Sequence, residues 1–201
     1  MPNIFLLGRP GCGKSAVYRI LKEELREKGY EEDLKRIDDF PILQQIFEED
    51  TEHERHRPAE GGGFKVTDDS VWGDLAENLS DRAEELQSPN RLLFIEFSRS
   101  NYVRTFKHFS EEVLENSLVV YIDCPFEICW ERNVKRWEEE EGTDAHLVSK
   151  EEMEKTYAED DHKDLPDNVD APIIFVENNY SGLDKLRNEL SLVIDEIEKM
   201  L

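Results

Sequence analysis

A chain of 201 residues with 25 Lys and Arg against 48 Asp and Glu, a net charge of −23, is a poor electrostatic partner for nucleic acid or an anionic membrane. Those partners require clustered cations. Hydrophobic residues make up 38% and charged residues 36%, which predicts one domain over residues 1–201 with a buried core under heavily solvated helix faces.

The three cysteines, Cys12, Cys124 and Cys129, form neither a disulfide ladder nor a C-x-x-C pair, so cytoplasmic residence is expected. The first apolar run starts a few residues after Met1, and no run approaches a membrane span, so neither a signal peptide nor a membrane partner is expected.

That first run, Ile4-Phe5-Leu6-Leu7, predicts a strand and leads directly into Gly8-Arg9-Pro10-Gly11-Cys12-Gly13-Lys14-Ser15. The octet fits G-x-x-x-x-G-K-[ST]. Apolar positions at Val17, Ile20, Leu21 and Leu25 predict the helix that should follow it. Glycines let the loop curl so that its N–H groups, through Ala16, point into one concavity, and the helix adds its positive end. ATP is therefore the expected ligand, with Lys14 reaching the β- and γ-phosphates and the Ser15 hydroxyl coordinating Mg²⁺. Cys12 is expected to point away from the phosphates.

Past Gly29, Leu34 to Asp38 reads as a short strand and Phe40 to Glu49 as a helix with Ile42, Leu43, Ile46 and Phe47 on one face. Asp38 and Asp39 stand at the junction. Either suits Mg²⁺ or a proton taken from a substrate hydroxyl, and either also suits a helix N-cap. Residues 50–63, with His53, Arg55, His56, Arg57 and three consecutive glycines, read as a mobile loop whose basic residues touch a substrate phosphate or simply meet solvent.

A helix opening near Ser70 precedes the apolar strand Arg91 to Phe97, which one charge, Glu96, interrupts. Left unpaired, a buried carboxylate costs several kcal/mol. Glu96 therefore needs a metal, a substrate donor or a cation such as Arg99. The rest reads as a helical region from Tyr102 to Asn116, a strand at Leu118 to Asp123, and a helix begun by Pro125. A flap with a helix starting at Ser149, a strand at Pro172 to Val176 and one amphipathic helix from Leu183 to Leu201 complete the chain. Arg132 and Arg136 are four apart on one helix face, suited to clamping an anion between them unless Glu131 and the run Glu138 to Glu141 neutralise them.

Five strands alternating with helices specify a parallel, doubly wound α/β sheet with its ligands beyond the carboxyl ends of the strands. This order, with the octet, resembles the P-loop kinases of the nucleoside and nucleotide kinase group, which includes adenylate, shikimate and deoxynucleoside kinases. The segment Leu93 to Arg99 is similar to their third strand, which ends in an acidic residue followed by a substrate-phosphate arginine, here with Glu for Asp. Glu96 to Tyr102 also resembles the Glu-Arg-Ser segment of deoxynucleoside kinases.

The resemblance implies a three-layer P-loop NTPase fold, a five-stranded parallel sheet with helices on both faces and a helical lid. Its core would comprise 1–39, 91–137 and 171–201, with an acceptor-binding insert at 40–90 and a lid at 132–167. It implies lid arginines at Arg132 and Arg136, contacts to adenine around Glu177, Asn178 and Asn179, and acceptor binding by Asp39 and Arg99. The expected activity is Mg²⁺-dependent transfer of the γ-phosphoryl of ATP to a nucleoside, nucleotide or other small hydroxyl compound. A regulatory P-loop ATPase or nucleotide switch acting on a protein is the alternative. GTPase switching is disfavoured, since the chain contains neither D-x-x-G nor N-K-x-D.

Overall fold

The computed structural model describes residues 2–30, 33–58, 64–139, 148–180 and 182–201. β1 (Asn3–Leu7) is buried along its whole length and feeds through the glycine loop into α1 (Lys14–Glu27), whose buried face carries Val17, Ile20, Leu21 and Leu25. β2 (Asp33–Asp38) passes without a loop into α2 (Asp39–Glu49). The Asp38 carboxylate makes that possible by accepting from Phe40 N at 3.0 Å, so the strand's last residue is also the helix cap.

Within the expected loop at 50–63, His56–Pro58 forms a strand, β3, paired as an antiparallel hairpin with β4 (Phe64–Val66) just beyond it, while Gly61 to Gly63 lie outside the described residues. Three-residue strands are too short to leave a period-two pattern. α3 (Ser70–Leu86) and β5 (Arg91–Phe97) follow as expected.

The region from Tyr102 to Asn116 is two short helices rather than one. Ser110 adopts an extended ψ of 157° between α4 (Tyr102–Phe106) and α5 (Glu111–Leu114), and its hydroxyl caps the second by accepting from Val113 N. After β6 (Ser117–Asp123) come α6 (Phe126–Glu139) and α7 (Lys150–Tyr157), the latter capped by Ser149. Residues 140–147 of the expected lid lie outside the described residues. A 3₁₀ turn at His162–Asp164 and α8 (Leu165–Asn168) lead to β7 (Ile173–Glu177). The final amphipathic stretch breaks at Leu190 into α9 (Leu183–Glu189) and α10 (Ser191–Met200), with no Gly or Pro at the break to mark it in the sequence.

The parallel sheet has the order β2-β5-β1-β6-β7, with helices on both faces. On one face Leu6, Phe94 and Val120 pack against Val17 and Leu21 of α1 and Val193 and Ile197 of α10. On the other, Phe5, Ile95 and Val119 meet Leu79 and Ala83 of α3 and Phe106 of α4. A separate cluster of Leu43, Ile46, Val66, Val71 and Leu75 holds α2 and the hairpin against α3, beyond the carboxyl edge of β2 and β5. This is the three-layer P-loop NTPase architecture. Among the described residues no helix is long and apolar enough to cross a membrane.

Candidate nucleotide and acceptor site

The loop between β1 and α1 is wrapped tightly against its neighbours. Gly13 has φ +106°, and a Cβ there would stand 2.4 Å from Asn178 Nδ2; Gly11 has φ +81°, and its Cβ would meet Cys129 O at 2.2 Å. Only glycine fits both the left-handed backbone and the space. Asn178 Nδ2 donates to Cys12 O at 2.6 Å, and the Cys12 side chain is fully buried in the core, pointing away from the site as expected.

Lys14, nearly buried, donates to Gly8 O at 3.0 Å, Arg9 O at 3.2 Å and Ser98 Oγ at 2.7 Å. The Ser98 hydroxyl in turn donates to Gly8 O, and Tyr102 Oη accepts from Gly8 N at 3.1 Å. Arg9 reaches the other way. Its guanidinium donates to Tyr157 O at 2.7 Å and Ala158 O at 3.1 Å, tying the C-terminal end of α7 to the loop.

Opposite the loop, in-register pairing sets the acidic groups. Asp38 and Glu96 are partners across β2 and β5, and Leu6 is the partner of Glu96 on β1, so both carboxylates share the face of the sheet that α1 covers. Arg36, two residues before Asp38, shares that face. Its guanidinium meets three groups: Nη2 donates to Ser15 Oγ at 3.2 Å and Asp38 Oδ2 at 3.0 Å, and Nε is ion-paired with Glu96 Oε2 at 2.8 Å without hydrogen-bond geometry. Burial still dominates at Glu96, and the nearby Asp38 adds to it, so the carboxyl is pushed up to about 7 despite Lys14 and Arg36.

Asp39 faces the other arginine. Arg99 Nη1 donates to Asp39 Oδ2 at 2.8 Å and to Ser98 O, and burial, reinforced by Asp38, raises Asp39 to about 6 against the pull of Arg99. The expected Glu96 to Arg99 pair is therefore replaced by two others, Glu96 with Arg36 and Asp39 with Arg99. Glu96 lies in the strand's pleat, whereas Arg99 follows its end and turns toward α2.

One cavity of about 590 Å³ brings these groups together: Gly11, Gly13, Lys14 and Ser15 on one wall, with Arg36, Asp38, Asp39, Glu96 and Arg99 across from them. Arg132 and Arg136 also line it, but Arg132 Nη1 donates to Asn178 O at 3.2 Å and Nη2 to Tyr180 O at 2.8 Å. Arg132 thus braces the turn after β7 while lining the cavity. Arg136 Nη2 lies 3.4 Å from Asn133 Oδ1. The side chains of 139–141, set against these arginines in the sequence reading, lie outside the described residues.

Asn178 holds the loop through its side-chain amide, whereas Asn179 is exposed. The basic cluster of residues 53–57 contributes nothing to this cavity: Arg55 donates to Asp74 at 2.7 Å, and His56 lies 3.0 Å from Asp50 and stacks on Phe47.

Arg36, Ser98, Tyr102 and Tyr157 are site residues that the sequence reading passed over. Only Arg36 left a signal, the alternation Arg36, Asp38 on an edge strand; the others are visible only once long-range contacts exist.

The sheet order and the glycine loop together define a P-loop NTPase. The chain belongs to the AAA domain family, whose model matches residues 4–161. Among solved structures, Kti12 of Chaetomium thermophilum in complex with ADP-AlF3 is similar at 15% identity and TM-score 0.61, covering 99% of this chain and 98% of that one. A gluconokinase of Sinorhizobium meliloti is similar at 16% identity and TM-score 0.58, over 98% and 94%. The APS kinase of Mycobacterium tuberculosis in complex with AMPPNP and APS follows at 15% and 0.57, over 98% and 97%. At these identities the likeness is one of fold, and kinases of small molecules are among the proteins that share it. No curated protein matches the chain by sequence.

Proposed function

We propose that the protein is a Mg²⁺-dependent kinase transferring the γ-phosphoryl group of ATP to a hydroxyl of a small metabolite. One observation carries this reading: Lys14 and Ser15 of the phosphate loop share a single cavity with Asp38, Asp39, Glu96 and Arg99. Phosphoryl transfer asks the protein for positioning and for charge around the migrating group, and this cavity supplies both.

Lys14 reaches the β- and γ-phosphates, and the loop amides hold the rest of the chain of phosphates. Asp39, ionised above about pH 6, accepts the proton of the acceptor hydroxyl, and Arg99 orients it. Among the described residues no group of three or more His, Cys, Asp and Glu is arranged to hold a metal ion; in phosphoryl-transfer sites one or two protein oxygens, phosphate oxygens and water share the coordination of Mg²⁺.

Ser15 Oγ and Asp38 fit Mg²⁺ in that role. They are hard oxygen donors, and with Glu96 they already gather around one cation, the guanidinium of Arg36. When bound there, Mg²⁺ neutralises charge on the transferring phosphoryl group. Residues 40–90 form the acceptor side, and 132–167 the lid, with Arg9 latching α7 to the loop.

A regulatory ATPase acting on a protein partner is the competing reading. The cavity's extension past the loop to Phe40, Leu43 and Phe64 favours a small acceptor. Thermal shift against a metabolite panel with Mg²⁺ and a nonhydrolysable ATP analogue should find stabilising acceptors. Incubating those hits with ATP should then yield phosphorylated product. ATP binding with no acceptor ever phosphorylated defeats the kinase reading.

A further inference from the structure

Arg99 also lines a second cavity, of about 260 Å³, bounded by Trp72 of α3, Asn101 and Arg104 at the start of α4, and Glu152 and Lys155 of α7. Two of its side chains are more than nine-tenths buried yet incompletely partnered. Among the described residues, Arg99, 5% exposed, has no hydrogen-bond partner at Nε or Nη2, and Glu152, 3% exposed, has none at Oε2. Their other atoms are engaged: Arg99 Nη1 with Asp39 and Ser98 O, Glu152 Oε1 with Thr156 Oγ1. Arg99 is ion-paired with Asp39 and not with Glu152.

The identity of the orphaned atoms is informative. Nε and Nη2 form one edge of a guanidinium, the fork that receives a carboxylate through two parallel bonds. The face of the same group is held over the Trp72 ring, 4.9 Å from its centroid, which fixes the direction of the fork. Leaving such a fork and a carboxylate oxygen buried without partners is costly, and each cost is removed by a ligand of the opposite character. Arg104 and Lys155 add positive charge at the rim of this cavity in a chain of net charge −23. The volume is below that of a whole-ligand pocket and suits a head group.

We propose that this second cavity recognises the head group of an α-amino acid, the carboxylate in the Arg99 fork and the ammonium on Glu152 Oε2. Joined to the kinase reading, on which this step rests, the acceptor is a hydroxyl compound bearing such a head group. Arg99 stands between the two cavities, so the head group lies on one side of it and the hydroxyl at Asp39 on the other.

Titration of the full chain, with Mg²⁺ and a nonhydrolysable ATP analogue, tests this. The readout is the indole N–H resonance of Trp72, assigned against the Trp130→Phe and Trp137→Phe proteins. Glycine is the minimal probe; acetate carries only the anion, methylamine only the cation, and inorganic phosphate a competing anion. Glycine should move the Trp72 resonance with affinity about tenfold above acetate or methylamine, as expected for a lost hydrogen bond to a charged group.

Glu152→Gln should weaken glycine about tenfold and leave acetate unchanged. Arg99→Lys should weaken both, because an ammonium cannot reproduce the fork. Should Arg99→Lys fail to fold, the near-isosteric Glu152→Gln alone decides. A Trp72 resonance indifferent to glycine, equal affinity for acetate, or tighter binding of phosphate overturns the proposal. If the ATP analogue binds while glycine does not, only this inference is lost; if the analogue itself does not bind, the kinase reading is lost.

Discussion

The two walls of the main cavity are built by different means. The phosphate wall is contiguous in sequence, Gly8 to Ser15, and its cationic character comes from backbone amides, a helix start and one lysine. The acceptor wall draws Arg36 and Asp38 from β2, Asp39 from α2, Glu96 from β5 and Arg99 from the turn after it. Beyond the local pair of Arg36 with Asp38, its charges balance through long-range pairs, Arg36 with Glu96 and Arg99 with Asp39. The phosphate wall is therefore one short loop held by close packing of its glycines against neighbouring elements, and the acceptor wall is poised, with two carboxyls held near neutral pH by burial.

The largest expected effect follows from breaking the first wall. Lys14→Ala should reduce phosphoryl transfer on the order of 10³-fold, since it removes the cation nearest the transferring group. Product formation under saturating ATP checks this, with a thermal melt to show that the loop still folds once Gly8 O and Ser98 lose their donor. Asp39→Asn tests the second wall. It should lower kcat about 10²-fold while the affinity for an ATP analogue, measured by calorimetry, stays the same. A parallel loss of nucleotide affinity would mean that the two walls are not separable.

Smaller, and specific to the acceptor wall, is a pH effect on stability. Glu96 titrates at about 7 and Asp39 at about 6 in the folded protein, against ordinary values of 4.5 and 3.8. Between those limits the folded state binds more protons than the unfolded one. The stability these groups contribute is thus complete below the ordinary carboxylate range and is lost as pH rises through 6 to 7. Glu96→Gln should remove about 2 kcal/mol of this pH dependence, read as the difference between mutant and wild-type urea midpoints at low and high pH. Parallel curves for the two proteins would show that Glu96 is not the group responsible.

The contrast between the walls also explains what the sequence disclosed. Gly8 to Ser15 was readable because this phosphate cradle is made from consecutive residues, and four of the five sheet strands were readable as apolar runs, whereas β2, with only Leu34 and Ile37 apolar, was a short segment between Gly29 and Asp38. Glu96 stood out as a charge within such a run, but its partner did not. Arg36 lies 60 residues away in the chain and meets Glu96 only because β2 and β5 pair in register. Arg99, three residues after Glu96, turns to Asp39 instead. The breaks at Ser110 and Leu190 were hidden because apolar spacing continues across them, and the β3–β4 hairpin because its strands are three residues long.

Tyr102 supplies the mildest break and the finest test of how rigid the phosphate wall is. It is fully buried in the aromatic cluster under the sheet, packed against Tyr121 with ring centroids 5.9 Å apart, and its oxygen receives the Gly8 N–H at 3.1 Å. The first glycine of the loop is thereby fixed from below, by a side chain on α4. Tyr102→Phe keeps the ring packing and deletes only that acceptor, leaving a buried amide unpaired at a cost of about 1 to 2 kcal/mol. If that amide is confined to the folded core, the melting temperature falls and the affinity for the ATP analogue does not. If the loop's curvature depends on it, affinity falls severalfold as well. The close packing of the phosphate wall predicts the first result, because Gly11 and Gly13 are held independently against Cys129 and Asn178.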